Sequence, residues 1–195
     1  MSLLPSEVET AIFYAVFGIW LLITFVIEPL ITRGGTKKER RTLEDSGSAL
    51  LIFLGTFSAI VVAFSLGGAN VTPLPEWTFL VGISLMIVGM GFREWAILTL
   101  RESFLFRVGV LKDQKVVDVG PYRLIRHPGY GGSIVTFVGI GLAIQSLAGV
   151  LILALISGVV YGYRIMVEER ALARDLGEPY VEYMRRTKRL VPFVL

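Results

Sequence analysis

The chain has 195 residues, no cysteine and a net charge of +3; 54% of its residues are hydrophobic and only 18% are charged. A soluble domain averages about 25% charged residues, so this composition and the mean hydropathy of +0.69 disfavour a soluble globule and exclude a disordered chain. The small net charge also disfavours a nucleic-acid binder, and the lack of cysteine excludes disulfides, thiolate metal sites and cysteine nucleophiles.

Four stretches of the chain lack charged residues and have the length of membrane-spanning helices, which need about 20 apolar residues. The first three predict one helix each, at about 10–31, 48–67 and 77–99. The fourth stretch, 129–163, would run about 50 Å as one helix, against a hydrocarbon core of about 30 Å. We therefore predict a helical hairpin at about 131–144 and 147–167, with its turn at Gln145 and Ser146.

The placement of the basic residues supports five crossings. Lysine and arginine occur in the first loop, the third loop and the C-terminal tail, whereas the N-terminal decapeptide, the second loop and the hairpin turn have none. Five crossings put every basic segment on one side, and the positive-inside rule makes that side cytoplasmic. The sequence thus predicts an all-α integral membrane protein with one domain over 1–195, its N-terminus outside and cytoplasmic segments at 100–130 and 168–195.

The segment GPYRLIRHPGYGG, at residues 120–132, marks the cytoplasmic mouth of the fourth predicted helix. Pro128 disfavours helix at His127 and suits the first turn of the next helix, whose N-terminal amides attract anionic or polar groups. The glycines expected to leave room for a ligand are Gly129, Gly131 and Gly132. From these residues alone, an interfacial loop with a snorkelling Arg126 is an equally good interpretation.

A second group of ionisable residues follows at the end of the fifth predicted helix. Arg164 and Glu168 are four residues apart and share one helix face, and ionisable groups at membrane depth are functional candidates. The alternative is a stop-transfer cluster of snorkelling arginines. The hairpin brings both groups to the same membrane boundary, so we expect one pocket to contain Arg126, His127, Tyr130, Arg164 and Glu168.

Other signals point to packing rather than chemistry. The Gly-x-Gly pairs at Gly89 and Gly91 and at Gly139 and Gly141 lie inside predicted membrane helices, without the strand and turn that a dinucleotide fingerprint requires. We interpret them as small-residue surfaces for helix packing. One histidine and no cysteine make a metal site improbable.

The two polar segments together resemble the isoprenylcysteine carboxyl methyltransferase family. The residues that carry the resemblance are Arg126, His127, Pro128, Tyr130, Gly131, Glu168, Glu169 and Leu172, within about residues 108–190. The resemblance implies S-adenosylmethionine as methyl donor and a cytoplasmic cofactor site. It implies as acceptor the free carboxylate of a C-terminal prenylated cysteine, delivered from the bilayer.

The resemblance also implies roles for individual residues. The cofactor residues that it implies are Gln114, Lys115, Val116, Val117, Tyr122, His127, Pro128, Gly129, Tyr130 and Glu168. Arg164 is implied to bind the acceptor carboxylate, and Arg164 and Glu168 are implied to be the catalytic residues. Phospholipid methyltransferases and some membrane steroid reductases carry related motifs. A lipid-amine methyltransferase, an NADPH-dependent reductase and a non-catalytic packing protein therefore stay open as alternatives.

Overall fold

The computed structural model describes residues 6–32, 40–43, 47–100, 109–111 and 115–190. The helices are α1 (Glu7–Leu22), α2 (Glu28–Ile31), α3 (Ser48–Gly68), α4 (Thr78–Leu100), α5 (Pro128–Ala143), α6 (Leu147–Leu176) and α7 (Glu178–Arg186). Two short strands, β1 (Arg40–Leu43) and β2 (Gly109–Leu111), pair antiparallel, with Leu43 opposite Gly109. The described residues thus form an almost entirely helical fold, as predicted.

Four helical runs of the described residues are long and apolar enough to cross a membrane. They are Glu7–Ile31, Ser48–Gly68, Thr78–Leu100 and Leu147–Leu176. Helix α5 is apolar but has only 16 residues, which corresponds to about 24 Å. The sequence prediction of a short fourth helix is thereby met, and five crossings stay a prediction that depends on how α5 sits in the bilayer.

The first span contains a wide π-turn at Ile23–Ile27, between α1 and α2. There the N–H of Glu28 donates to the carbonyl of Ile23, five residues back. Pro29 explains this turn, because proline has no N–H and its ring would clash with the carbonyl four residues earlier in a regular α-helix. The turn directly precedes Glu28, which is completely buried.

The structure contains the predicted hairpin between α5 and α6. Gln145 adopts the left-handed conformation, with a φ of 53°, and Ser146 caps α6 by accepting a hydrogen bond from the Gly149 N–H at 3.1 Å. The N–H of Leu74 donates to the Gln145 carbonyl at 2.8 Å. The loop between α3 and α4 and the hairpin turn therefore lie at the same end of the bundle.

Glycines bring α4 and α5 into close backbone contact. A Cβ atom at Gly89 would lie 2.7 Å from the Gly132 carbonyl oxygen, and one at Gly139 would lie 2.7 Å from the Met86 nitrogen. The packing interpretation therefore holds for Gly89 and Gly139, whereas a Cβ atom at Gly91 would meet open space. The expectation that Gly132 leaves room for a ligand is wrong, because the α4 backbone fills that space.

Candidate active site

Polar side chains from five helical segments meet at the end of the bundle opposite the hairpin turn. Arg164, on α6, is only 2% exposed. Its Nη1 donates to the Ser48 hydroxyl at the start of α3, at 2.8 Å, and its Nε donates to the Tyr130 hydroxyl on α5, at 3.1 Å. Arg164 is therefore held at the junction of three helices rather than snorkelling to solvent.

The Tyr130 hydroxyl lies between Arg164 and Glu168. It donates to the Glu168 Oε2 atom at 2.5 Å, while the Arg164 Nε atom is 3.9 Å from that same oxygen. The Tyr130 ring is stacked between His127 and Tyr161, with ring centroids 5.5 and 5.1 Å away. The Glu168 side chain stays 29% exposed, so this carboxylate is open to a ligand from outside the bundle.

Glu169 organises a second polar cluster beside the first. Its Oε1 atom accepts from Arg126 Nε at 2.7 Å and lies 3.4 Å from His127 Nε2, and its Oε2 atom accepts from Arg189 Nε at 3.1 Å. Glu169 is 4% exposed. The sequence prediction of a single pocket is thus refined: Arg126 faces Glu169, while Tyr130, Arg164 and Glu168 form the neighbouring cluster.

The C-terminal segment holds the segment before α5 in place. The N–H groups of Arg126 and His127 donate to the carbonyls of Lys188 and Arg189, at 2.7 and 3.0 Å. The Tyr183 hydroxyl on α7 donates to the Tyr122 carbonyl at 2.7 Å. Burial raises the pKa of the Tyr183 hydroxyl, so this group stays protonated and remains a donor at neutral pH.

The first turn of α5 has donors that suit an anionic group. His127 is its N-cap residue, and no side-chain cap bond to this turn occurs among the described residues. The first N–H groups of a helix have no partner within the helix, and together with the helix dipole they favour an anion. Tyr130 is the third residue of this helix, and its hydroxyl donates to the Glu168 carboxylate.

The structure adds an ion pair that the sequence analysis missed. Arg93 on α4 donates from Nε and Nη2 to the two carboxylate oxygens of Glu28, each at 2.7 Å, and from Nη1 to the Ser133 hydroxyl at 2.9 Å. Glu28 is completely buried. The signal was the presence of Glu28 and Arg93 inside two predicted membrane helices, since charges at membrane depth are paired or functional.

An apolar cavity of about 800 Å³ opens between α1 and α3 and reaches both arginines. The aromatic and aliphatic residues of its wall include Trp20, Phe25, Ile52, Phe57, Ile60 and Phe64. The polar residues at one end are Arg93, Tyr130, Ser133, Tyr161 and Arg164. At the other end, the rings of Phe17 and Phe64 pack with centroids 5.4 Å apart. The cavity therefore runs from an aromatic cluster to a charged end.

The remaining cofactor residues implied by the resemblance differ in burial, and one of them lies outside the described part. Tyr122 and Pro128 are buried. Lys115 is exposed, and Val116 and Val117 are half-buried in the extended segment that precedes a 3₁₀ turn at Gly120–Arg123. Gln114 lies outside the described residues. No hydrogen bond within the described ranges joins residues 115–117 to Glu168.

The fold and the site define a class of protein: a helical membrane protein with a buried guanidinium, a partly exposed carboxylate and a lipid-sized cavity at one end. Residues 77–178 match the family model for phospholipid methyltransferases. This match covers more than half of the chain, and the chain therefore belongs to the phospholipid methyltransferase family.

The chain is also similar in sequence to individual proteins, among them members of the family that its motifs resemble. It is 31% identical over 120 residues to protein-S-isoprenylcysteine O-methyltransferase B of Arabidopsis thaliana, which covers 60% of this chain and 61% of that protein. It is 34% identical over 125 residues to the cobalt-zinc-cadmium resistance protein CzcN of Cupriavidus metallidurans. This alignment covers 64% of this chain and 52% of CzcN. The chain thus spans about three fifths of the Arabidopsis protein and about half of CzcN.

The fold resembles that of a solved membrane enzyme. The eukaryotic intramembrane Ras methyltransferase, an isoprenylcysteine carboxyl methyltransferase, aligns with a TM-score of 0.61 over 94% of this chain and 68% of that chain. The sequence identity is 20%, so this likeness concerns the fold. The resemblance read from the motifs is confirmed by these relatives and by the fold.

Proposed function

We propose that this protein transfers a methyl group from S-adenosylmethionine to the C-terminal carboxylate of a prenylated cysteine. The observation that carries the proposal is the buried Arg164 guanidinium at the charged end of the apolar cavity. A prenylcysteine has the same polarity, with a carboxylate at one end and a hydrocarbon chain at the other. Each buried methylene of that chain stabilises the complex by about 0.8 kcal/mol.

Arg164 suits a carboxylate acceptor because its planar guanidinium offers two parallel donors, a geometry that lysine lacks. The second arginine at this end, Arg93, is already bound at both oxygens of Glu28. We assign the acceptor to Arg164, which lines the charged end of the cavity one helical turn from Glu168. The acceptor carboxyl is ionised at neutral pH, since its ordinary pKa is about 3.5, and needs no general base.

The donor set around Glu168 fits S-adenosylmethionine. The partly exposed Glu168 carboxylate suits an ammonium or ribose hydroxyl group, and the uncapped first turn of α5 suits a carboxylate. We propose that the cofactor contacts the residues that the motif implies, which are Gln114, Lys115, Val116, Val117, Tyr122, His127, Pro128, Gly129, Tyr130 and Glu168. When bound, S-adenosylmethionine supplies a methyl group on a cationic sulfonium.

The arrangement favours transfer by alignment and by exclusion of water. The acceptor carboxylate is an anion and the donor sulfonium is a cation, so charge is neutralised as methyl transfer proceeds, and a dry site favours that change. Arg164, fixed by Ser48 and Tyr130, orients the acceptor, and correct positioning of two reactants lowers the barrier by several kcal/mol, up to about 10. We propose that the site faces the cytoplasm, with the N-terminus on the other side.

Methylation of a lipid amine is the second candidate, because the matching family model is that of phospholipid methyltransferases. An amine acceptor needs a free carboxylate at the charged end of the cavity. No carboxylate is among the described residues that line the cavity, and Glu28, the carboxylate that contacts Arg93, is engaged by it at both oxygens. This pairing favours the carboxylate acceptor.

Thermal stabilisation of the purified protein by S-adenosylhomocysteine, compared with NADPH, tests the donor. A ligand at 100 times its dissociation constant stabilises the folded state by about 2.7 kcal/mol. We expect S-adenosylhomocysteine to raise the melting temperature and NADPH to leave it unchanged. Stabilisation by NADPH alone would instead favour a reductase and contradict the proposal.

A further inference from the structure

Hydroxyl groups on the membrane helices of this protein commonly donate to the backbone carbonyl four residues earlier. The Thr56 hydroxyl on α3 donates to the Ile52 carbonyl at 2.6 Å, and the Thr136 hydroxyl on α5 donates to the Gly132 carbonyl at 3.0 Å. The core of a bilayer contains no water that could take the place of this carbonyl. The bond to the preceding turn therefore keeps these hydroxyls satisfied.

Thr24 departs from this pattern. It lies in the π-turn of the first span, and π-turns within α-helices are frequent at functional sites. Its Oγ1 atom is buried and, alone among the buried side-chain nitrogen and oxygen atoms of the described residues, has no hydrogen-bond partner. Leaving a buried hydroxyl without a partner is unfavourable, so this group is poised for a partner that a ligand supplies.

Thr24 lines the apolar cavity near its charged end. The wall that the first span contributes includes Trp20, Thr24 and Pro29. Thr24 precedes Glu28, the partner of Arg93, by four residues, which is at most about 6 Å along the helix axis. A threonine hydroxyl moves among three staggered positions by rotation about one bond. Rotation of this side chain can therefore turn the hydroxyl towards a polar group in the cavity.

We infer that the Thr24 hydroxyl binds the amide group of the acceptor cysteine, and so favours a peptide-like acceptor over a plain prenylated acid. This inference rests on the proposed function, which puts the acceptor carboxylate at the charged end of the cavity. In a C-terminal prenylated cysteine, the amide nitrogen and the carboxylate are bonded to the same carbon atom. The amide therefore lies near the charged end, while the prenyl chain extends along the apolar wall.

The other groups of such an acceptor suit Thr24 less well. The thioether sulfur is a weak hydrogen-bond acceptor, and the prenyl chain has no polar atom. A hydroxyl can donate to the amide carbonyl or accept from the amide N–H. An amide that enters an apolar cavity without a partner is itself unfavourable, so one hydrogen bond to Thr24 satisfies two groups at once.

The ligand-free protein provides the first test, with Thr24→Val. This variant replaces the hydroxyl by a methyl group of similar size, and replacing an unsatisfied buried group by an apolar one does not destabilise the fold. We expect the melting temperature of the variant to equal that of the parent chain or to exceed it by up to about 4 °C. A fall in the melting temperature would show that the hydroxyl is already satisfied, and would overturn the inference.

The second test combines Thr24→Val with removal of the amide from the acceptor, as in a double-mutant cycle. One acceptor is N-acetyl-S-farnesylcysteine. The other is S-farnesylthiopropionic acid, which keeps the carboxylate, the thioether and the farnesyl chain but has no amide. Calorimetry gives the dissociation constant of each. We expect Thr24→Val to weaken binding of N-acetyl-S-farnesylcysteine about tenfold and of S-farnesylthiopropionic acid less than about twofold.

The matched control is Thr56→Val, which removes another hydroxyl from the cavity wall. The Thr56 hydroxyl is already bound to the Ile52 carbonyl, so we expect its loss to affect the two acceptors equally. An equal effect of Thr24→Val on the two acceptors would overturn the inference, because a change in cavity shape or in folding does not depend on the amide.

Binding is measured without methyl transfer, so the two proposals fail separately. If N-acetyl-S-farnesylcysteine binds with the expected dependence on Thr24 but is not methylated, the proposed function is wrong and the amide contact stands. If it is methylated and Thr24→Val affects both acceptors equally, the amide contact is wrong and the proposed function stands. If neither acceptor binds the parent chain, both are wrong.

Discussion

At the scale of single residues, two adjacent carboxylates have different surroundings. Glu169 is buried and bound by Arg126 and Arg189, whereas Glu168 is partly exposed and accepts one hydrogen bond from Tyr130. Neighbours on a helix point about 100° apart, so one faces the C-terminal segment and the other faces the α5 terminus. We therefore assign Glu169 to stability and Glu168 to ligand binding.

Replacing each carboxylate by its amide tests this division. Glu169→Gln leaves the largely buried Arg126 guanidinium without its charge partner, a change that typically costs about 3–5 kcal/mol, so we expect a clear drop in the melting temperature. Glu168→Gln should leave the melting temperature nearly unchanged and weaken S-adenosylhomocysteine binding about ten- to a hundredfold, the loss of one hydrogen bond to a charged group. Calorimetry measures both quantities, and the opposite pattern would exchange the two assignments.

Substitution of Arg164 tests which class of acceptor the protein uses. Arg164→Ala removes both the charge and the planar fork, while Arg164→Lys keeps the charge alone. We expect the alanine variant to lose about ten- to a hundredfold in kcat/KM on a farnesylcysteine analogue, with the lysine variant in between and S-adenosylhomocysteine affinity little changed. Full activity of Arg164→Ala would refute the assignment of Arg164 to the acceptor.

At the scale of elements, α1 and α3 form the wall of the cavity, while α4, α5 and α6 form the packed part of the bundle. The glycines of α4 and α5 allow close helix contact. The side chains that α1 and α3 direct into the cavity pack instead around an open volume of about 800 Å³. A wall of two loosely packed helices suits a ligand that enters sideways from the bilayer.

Filling the cavity from α3 tests this view. Ile60 lines the cavity, so Ile60→Trp should raise the KM for a farnesylated acceptor about tenfold, because a few methylenes lose burial worth about 0.8 kcal/mol each. The affinity for S-adenosylhomocysteine should stay the same. The matched control is Leu54→Trp on the same helix, since Leu54 is 51% exposed and lies outside the cavity wall. Equal effects of the two variants would contradict a lipid site in this cavity.

At the scale of the whole molecule, much of the fold followed from the sequence. Charge-free stretches and the Gln145-Ser146 turn predicted the helices and the hairpin, because length and polarity restrict what can cross a bilayer. The predicted ends were less accurate. Helix α5 begins at Pro128 rather than at 131, and α6 continues to Leu176 rather than ending at 167. A hydropathy pattern detects the apolar part of a helix and does not show how far the helix extends into water.

For the candidate site, the sequence predicted several of the side chains that meet at this end of the bundle but not the contacts between them. The sequence pointed to Arg164 and Glu168 because ionisable groups at a membrane boundary are rare, and to Tyr130 through the segment that follows His127 and Pro128. It did not reveal that Ser48 binds Arg164 or that Glu28 binds Arg93. Those contacts join residues far apart in the chain, and only the tertiary fold decides which distant side chains meet.

The topology of the whole chain is a further prediction. Single cysteines at Ala69 and Arg185, both exposed, should react with a membrane-impermeant reagent from opposite sides of the membrane. The chain has no native cysteine, so the background is clean. The sequence predicts three crossings between these two positions. Labelling of both positions from one side would contradict that prediction.

The measurement that tests the central claim most directly is methyl transfer by the purified protein, with chemical identification of the product. The protein is supplied with S-adenosylmethionine carrying a radiolabelled methyl group, together with N-acetyl-S-farnesylcysteine or phosphatidylethanolamine vesicles. We predict label on the farnesylcysteine as a methyl ester, which mild base releases as methanol, and none on the phospholipid. Base-stable label on the phospholipid amine, with no ester formed on farnesylcysteine, would contradict the proposed function.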